Sequence, residues 1–487
     1  MKRLGMSVLV VLFAPLTAVT PAAAALPSFT TSGIQVRALP PGSLPFQSRA
    51  ALPAAGTGLI DAGGVRMFSL YGRIWNHPVG QAQYALANLD SYRLTGKGVY
   101  LDRAIANAQR LVNRSVVAGK AWFFPYPFDF ACCQGDTSMV LHAPWYSGMA
   151  QGEALSIFVR LFEVTGDPEW RVAADAAFAS LLLPPSHGRP WVTWVDADGH
   201  LWLDEYPRWP AAKSERVLNG HIFAVFGLYD YIQLANDPQA LQLFDGAVTT
   251  VEQLFPEFRR VNWAAAYSLG HGIPATGYQH IVISQLLHLH HMTGRIQEAL
   301  FADILRADFP IGSAYGSGTF TSRATICYKL DSHGNIVGSR PVAFPRQTSA
   351  PVNRRSRTAS GRIMLRVSAG PYADWWFPEA SGVAWISGPV DAHDYDPMLA
   401  ATFSPGTFDA YSYDARGLPT GVLKVTVASA TTWPTTGSAV VDGRLAYYLA
   451  SGPFAGFWVP AKAHFVAVSQ TYTPGRRAPI ASGFAPE

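Results

Sequence analysis

A stop signal for helices recurs through the middle of this chain at a fixed interval, and that recurrence restricts the fold more than any other feature. Thr95-Gly96, Thr165-Gly166, Asn236 and Thr293-Gly294 each close an amphipathic run just before another opens. From Gly96 to Gly166 is 70 residues, and from Gly166 to Asn236 is again 70. At Gly166-Asp167-Pro168 and Asn236-Asp237-Pro238 the chemistry is explicit: Gly or Asn suits the left-handed position after a helix, Asp caps the next one, and Pro fits its first turn. These are tight turns between antiparallel helices. The unit is a helical hairpin plus a long connecting loop, and repeated hairpins of this kind predict an α/α toroid.

The first helix of each unit is expected near Gly80, Gly148, Asn219 and Tyr278. Successive units run in the same sense, so these starts lie at one end, together with the long loops before them. The unusual sequences gather there: Phe123 to Phe130, rich in aromatic rings and proline, then Trp202-Leu203-Asp204-Glu205-Tyr206-Pro207 and Tyr267-Ser268-Leu269-Gly270-His271. Loops on a rigid scaffold are where binding and chemistry concentrate.

The fold class expected is mainly α, a toroid over residues 71–312 followed by a β-rich C-terminal region. Short β-type runs with Gly, Pro, Ser and Thr begin after about residue 315. Two stretches echo each other, Ala369 to Pro378 and Ser451 to Pro460, which predicts two related β modules, or two halves of one, with boundaries at 316–395 and 396–487. The echo resembles short Gly-Pro-aromatic repeats of some secreted actinobacterial proteins, and it makes cell-wall glycan a candidate partner. At the other end, Lys2 and Arg3, an apolar run from Val8 to Val19 and then Pro21 to Ala25 form the pattern of a signal peptide over 1–25. The implied location is secreted or cell-envelope associated, with an extended segment over 26–70 before the toroid.

The formal charge is +4, or +2 without Lys2 and Arg3, and no Lys/Arg block occurs, so nucleic-acid binding has no support. No later run is apolar enough for a membrane span after signal cleavage. Aromatic residues make up 13% against 14% charged, so many rings pack in the core or line a cleft, and carbohydrate clefts use such rings as platforms. Of the three cysteines, Cys132 or Cys133 is available to pair with Cys327, or the neighbours with each other; their spacing suits no metal, and no cofactor is implied.

Within this frame residues 71–295 resemble the C-terminal catalytic domain of D-glucuronyl C5-epimerases. The matching stretches are Pro78 to Tyr84, Trp145 to Gly152, Trp202 to Pro207, Val217 to Gly220, Gly227 to Asp230, and Gln285-Leu286 seven residues after Tyr278. The resemblance implies inversion at C5 of a uronic acid in an extracellular polysaccharide, with Glu205, Tyr206, Tyr267 and Tyr278 as catalytic groups. Inversion removes a carbon-bound proton α to a carboxylate and returns it from the opposite face, so two proton-transfer groups must flank the ring. Donors must also stabilise the dianion between them. Glu205 and Tyr278 are assigned to the two faces, and Tyr206 and Tyr267 to donation. Gln83, Tyr84, Tyr126, Trp145, Tyr146, Gln151, Asn219, His271 and His280 are the expected substrate contacts.

The chain departs from the family pattern where an Arg is replaced by Gly270, an Asp by Ser268, and two His by Gln279-His280-Ile281-Val282. Another cation, such as Arg208, Lys213 or Arg73, then has to hold an acidic sugar, or the substrate differs. Two alternatives stand beside the epimerase reading. One is a lyase or glycoside hydrolase on the same scaffold, the latter pairing Glu205 with Asp129 or Asp204. The other is a glycan-binding protein without turnover.

Overall fold

The computed structural model describes residues 26–469 apart from 49, 133–138, 262, 310–315, 323, 332–333, 359–361, 380–383, 386–388, 415–418, 442–443 and 462–465. The expected signal peptide and Cys133 lie outside the described residues. Among these residues no helix is long and apolar enough to cross a membrane.

Among the described residues eight α-helices form four hairpins: α1 (Pro78–Thr95) with α2 (Gly98–Asn113), α3 (Gly148–Thr165) with α4 (Pro168–Leu181), α5 (Leu218–Ala235) with α6 (Pro238–Phe258), and α7 (Gln279–Thr293) with α8 (Ile296–Asp308). The recurrent stop signals are real stops. Gly96, Gly166, Asn236 and Gly294 all take left-handed conformations, with φ of 68°, 68°, 49° and 71°. Asp167 accepts a hydrogen bond from the Glu169 amide, and Asp237 accepts from those of Gln239 and Ala240, each with Pro opening the next helix.

The first helices pack in sequence, α1 on α3, α3 on α5 and α5 on α7, while each second helix backs its own hairpin. The result is an inner arc with an outer layer. Small residues let the arc close up: a Cβ on Gly152 of α3 would stand 2.3 Å from Cα of Ala224, and one on Gly227 of α5 2.2 Å from the Gly152 carbonyl oxygen. Helices α1 and α7 at the two ends do not pack on each other to a comparable extent.

The N-terminal segment crosses the far ends of all four inner helices. The Arg37 amide donates to the carbonyl of Met292 on α7, and the Tyr229 hydroxyl of α5 accepts from Leu39 N and donates to Arg37 O. Arg160 of α3 holds the Pro45 carbonyl at 3.0 Å, and Asp90 of α1 accepts from the Ser48 amide at 2.6 Å. Arg160 also forms a buried ion pair with Asp230 at 2.9 Å. Removing one member of such a pair costs about 3–5 kcal/mol because the other stays buried and uncompensated.

Short hairpins occupy the connections: β1 (Phe68–Leu70) with β2 (Arg73–Trp75), β3 (Val116–Ala118) with β4 (Ala121–Phe123), β5 (Phe130–Ala131) with β6 (Val140–Leu141), and β7 (Thr193–Val195) with β8 (Leu201–Leu203). The β-rich region follows. Its first seven strands are β9 (Gly316–Phe320), β10 (Thr325–Leu330), β11 (Ile336–Val342), β12 (Thr348–Arg357), β13 (Ile363–Val367), β14 (Trp376–Pro378) and β15 (Ala384–Trp385). The next seven are β16 (Pro389–Phe403), β17 (Gly406–Tyr413), β18 (Pro419–Val427), β19 (Thr431–Val441), β20 (Arg444–Leu449), β21 (Trp458–Pro460) and β22 (Val466–Ser469). The first sheet has the order β11-β10-β14-β13-β12-β9-β15 and the second β18-β17-β21-β20-β19-β16-β22, which is the same order displaced by seven strands. The echoed motifs occupy matching places, Tyr328 opposite Trp376 and Tyr411 opposite Trp458. The sequence boundary at 395/396 needs correction. β16 runs through it from Pro389 to Phe403, with a register shift between Asp394 and Leu399.

The second sheet is tied to the helices. Arg306 of α8 bonds Asp303 at 3.2 Å and Ser438 at 2.7 Å, all buried, and Ala299 and Leu300 share an apolar cluster with Leu399, Phe403 and Leu445. Cys132 and Cys327 lie in separate clusters and are not bridged to each other; the Cys327 thiol faces the Arg340 carbonyl.

Candidate active site

Glu205 is positioned by two successive restraints. The β7–β8 hairpin delivers the chain to Asp204, whose amide bonds the Val192 carbonyl at 2.8 Å and whose carbonyl accepts from the Gly148 amide at 2.7 Å. That contact needs a glycine, since a Cβ on Gly148 would meet the Leu203 carbonyl carbon at 2.7 Å. The Asp204 carboxylate then accepts from Trp194 Nε1, Tyr206 N and Arg216 N, so both of its oxygens serve the loop. The next side chain, Glu205, turns onto the start of α5, where a Cβ on Gly220 would lie 2.2 Å from its Oε2.

Tyr267 arrives from the other side. Its amide bonds Ile273 O at 2.8 Å and its carbonyl accepts from Leu218 N at 3.2 Å. The phenol lies 3.4 Å from each Glu205 carboxylate oxygen and 3.3 Å from the Tyr206 hydroxyl. The Tyr278 ring stands 5.1 Å from that of Tyr267, tilted by 58°, at the N-terminal end of α7. Residues from two separate loops, Glu205 with Tyr206 and Tyr267 with Tyr278, thus meet at the N-terminal ends of α5 and α7. Tyr278 is 43% exposed and Glu205 only 8%, so the cluster opens outward on the Tyr278 side.

Burial dominates the electrostatics. Desolvation raises the Glu205 carboxyl to about 7, while hydrogen bonds from Tyr206 and Tyr267 pull the other way. Burial and then the Glu205 charge raise Tyr206 well above an ordinary phenol, and the same two causes raise Tyr278. Asp204 is pushed up by burial to about 6. A carboxyl near 7 is half ionised at neutral pH, suited both to take and to return a proton.

The remaining expected contacts divide. Asn219 has a buried Oδ1 with no hydrogen-bond partner, and it lines a shallow hollow with Tyr267, Tyr278, Ala265, Ala266 and Ala275. Gln83 is exposed and donates to Glu153 on α3 at 2.8 Å. His271 is clamped by Glu215 at 2.7 Å, His280 is exposed beside Tyr278, and Tyr146 is half-buried against Phe123.

Four expectations fail. Tyr126 and Trp145 stack on each other at 3.7 Å and are 2% and 7% exposed, so neither offers a face to a sugar. They pack behind Tyr206, with Trp145 6.0 Å from its ring. Gln151 is fully buried, accepting from Phe124 N and donating to Trp122 O and Ser180 Oγ. Tyr84 is buried on the far face of α1, against the Gly56 turn and under Arg66. Family-like spelling marked these positions because the scaffold needs them.

The sequence missed Glu153 and Glu215. Glu153 is fully buried with Oε2 unpartnered, and burial raises its carboxyl well above the usual range. Glu215 accepts from Ser268 Oγ at 3.1 Å as well as meeting His271, and a Cβ on Gly270 would come within 2.6 Å of its Oε2. A side chain at Gly270 would have to displace the Glu215 carboxylate from the place where it meets Ser268 and His271. The signal was present as Ser268 and Gly270 replacing charged residues together. Of the alternative cations, Arg73 and Lys213 are exposed, and Arg208 has a guanidinium nitrogen against the Met139 sulfur.

Asp129, offered as a second carboxylate, is exposed and paired with His142 at 3.0 Å. Asp196, Asp198 and His200 converge in the β7–β8 turn, but Asp196 already accepts from the Asp198 and His200 amides, from the His200 ring and from Trp202 Nε1. They clamp the turn.

Residues 118–304 match the family model described as the D-glucuronyl C5-epimerase C-terminus. A D-glucuronyl C5-epimerase of Caenorhabditis elegans is 29% identical over 133 residues, which is 25% of this chain. The matched region spans only 21% of that relative's length. Among solved structures, an unsaturated glucuronyl hydrolase from Streptococcus agalactiae is 14% identical, with a TM-score of 0.32 over 49% of this chain and 59% of that one. The α-mannanase BT2949 of Bacteroides thetaiotaomicron is 11% identical, with a TM-score of 0.34 over 56% and 64%. Glu205, Tyr206, Tyr267 and Tyr278 all fall inside the matched residues 118–304.

Proposed function

We propose that the matched segment inverts C5 of a uronic acid residue in an extracellular or cell-envelope polysaccharide. The observation that carries this reading is the joining of Glu205, Tyr206 and Tyr267 by hydroxyl and carboxylate contacts of 3.3–3.4 Å, with the Tyr278 ring beside them. Glu205 as carboxylate takes the C5 proton, and the C–H electron pair moves into the C5–C6 bond, giving an enediolate. Tyr278 returns a proton to C5 from the opposite face. Glu205 then loses its proton to solvent and the Tyr278 phenolate regains one, so no net atom is gained or lost. Tyr206 and Tyr267 hold the Glu205 charge and donate toward the intermediate.

Asn219, with an unpartnered acceptor in the hollow, takes a sugar hydroxyl. The inner arc is open between α1 and α7, an arrangement suited to a long chain entering from the side. Secretion through residues 1–25 brings the enzyme to such a substrate. Hydrolysis is less well supported, because Asp204 is committed to its own loop and Asp129 lies outside on a histidine.

Product analysis on a panel of uronic-acid polysaccharides tests the reading. Inverted uronate in chains of unchanged length is the expected result. Unsaturated ends would establish a lyase, new reducing ends a hydrolase, and binding without any product a glycan-binding protein.

A further inference from the structure

The two seven-stranded sheets share one strand order but not one charge. Residues 316–385, which hold the first, carry nine Lys and Arg against three Asp and Glu, a net +6. Residues 389–469, which hold the second, carry four against six, a net −2. The common architecture therefore does not need the cations, since the second sheet is built without them.

Their placing is specific. Residues paired across neighbouring strands point to the same face. In the first sheet the pairs Arg354–Arg366, Arg366–Trp376, Trp376–Tyr328 and Tyr328–Ser339 make one row across five strands, about 19 Å long. The adjoining row, Arg355, Leu365 and Phe377, points the other way into the core, where Arg355 pairs with Glu379 at 2.6 Å. In the second sheet the corresponding row is Gly437, Tyr448, Trp458, Tyr411 and Val422, with a register shift at the same place. The Trp and one Tyr are kept, and the two arginines stand where the twin has Gly437 and Tyr448.

Like charges directly opposite each other on a sheet are destabilising. Arg366 donates to Asn353 Oδ1 at 3.0 Å and lies 4.0 Å from the exposed Asp374 carboxylate. Arg354 is half-buried and, among the described residues, has no hydrogen-bond or ion-pair partner. Burial, and then the Arg366 charge, pull it below an ordinary guanidinium. Arg362, which is exposed, brings a third guanidinium to within 3.4 Å of the Tyr328 hydroxyl. A bound anion relieves the repulsion and occupies the unpaired donors together.

We propose that this face of the first sheet docks an acidic polysaccharide, with carboxylates along the chain pairing to Arg354, Arg366 and Arg362 and a sugar ring lying against the half-exposed Tyr328. Planar guanidinium groups match carboxylates through two parallel hydrogen bonds, and a phenol ring suits the apolar face of a pyranose. The choice of a uronate chain among polyanions rests on the function proposed above; the charge argument does not. Docking here holds a long chain on the protein while the Glu205 cluster acts on single residues of it.

Calorimetric titration of the full chain with polygalacturonate, and with the same polymer fully methyl-esterified, tests this. The intact protein is expected to bind the charged polymer and to lose that binding on esterification or at high salt. Arg354→Gln combined with Arg366→Gln should weaken binding about tenfold. The melting temperature of the free protein should hold or rise in this variant, because a repulsive pair has been removed. Arg362→Gln, at an exposed position, should weaken binding in the same direction, which covers the case in which the double variant fails to fold. Unchanged affinity in the folded variants, equal binding of the esterified polymer, or no binding by the intact protein overturns the docking surface and leaves the inversion reading, judged from products, untouched. Polyphosphate held as tightly as polygalacturonate, and released by the same substitutions, would overturn the assignment to a polysaccharide. Binding that responds as expected in a protein that inverts no uronate would uphold the surface and sink only the proposed function.

Discussion

The hydroxyl of Tyr267 stands 3.4 Å from both carboxylate oxygens of Glu205, across 62 positions of sequence. Two different loops must be fixed to within a bond length for this contact to exist. One is fixed by Gly148 and Asp204, the other by Leu218 and Ile273. The site is a property of where the inner helices begin.

The ionisation of Glu205 sets the acid side of the pH profile. Burial holds its carboxyl at about 7 against an ordinary 4.5, so inversion that needs the carboxylate should rise as pH climbs through about 7. Tyr278 is raised above the ordinary phenol, so the alkaline fall should come later than an unperturbed tyrosine would give. Tyr267→Phe removes a hydrogen bond that favours the ionised Glu205, and the acid limb should move to higher pH. A rate profile with an inflection near 4.5 would contradict the assignment.

Tyr278→Phe removes one hydroxyl from a ring that is 43% exposed. Its effect on stability should stay within about 0.5 kcal/mol. Inversion should disappear while thermal melting is unchanged, and full activity in this variant would remove Tyr278 from the reaction.

Gly220 is the position most sensitive to a single methyl group. A Cβ there would lie 2.2 Å from Glu205 Oε2, so Gly220→Ala must drive the carboxylate away from Tyr267. Overpacking of this kind costs about 1–3 kcal/mol, but the activity loss should be far larger than the stability loss. Melting and turnover measured on one preparation separate the two.

Gln151→Ala should behave in the opposite way. Its side chain joins Phe124, Trp122 and Ser180, and each buried partner left unpaired costs about 1–3 kcal/mol. A lower melting temperature with turnover per folded molecule largely retained is expected.

How far the sequence reached depends on the kind of signal. Helix stops were legible because Gly and Asn before Asp-Pro have one local solution, and it is realised at Gly166 and Asn236. The duplicated sheets were legible from the echo around Trp376 and Trp458, whereas their boundary was misplaced because a strand tolerates Asp396-Pro397 at a register shift. At the site, Glu205 and Tyr267 stood out, but Tyr126, Trp145 and Gln151 looked the same from sequence alone. An aromatic that faces a sugar and one that braces the residue facing it have identical spelling, and only packing distinguishes them. Glu153 was hidden for the converse reason: a lone glutamate in a helix reads as solvated until its neighbours bury it.

The central claim is that Glu205 and Tyr278 serve a single carbon atom. Incubating the protein with uronic-acid polysaccharides in D₂O and following the sugar protons by NMR tests it most directly. The account predicts deuterium at C5 with both epimers present and chain length unchanged, and no inversion in Glu205→Gln. Bound polysaccharide that keeps its C5 proton throughout would contradict it.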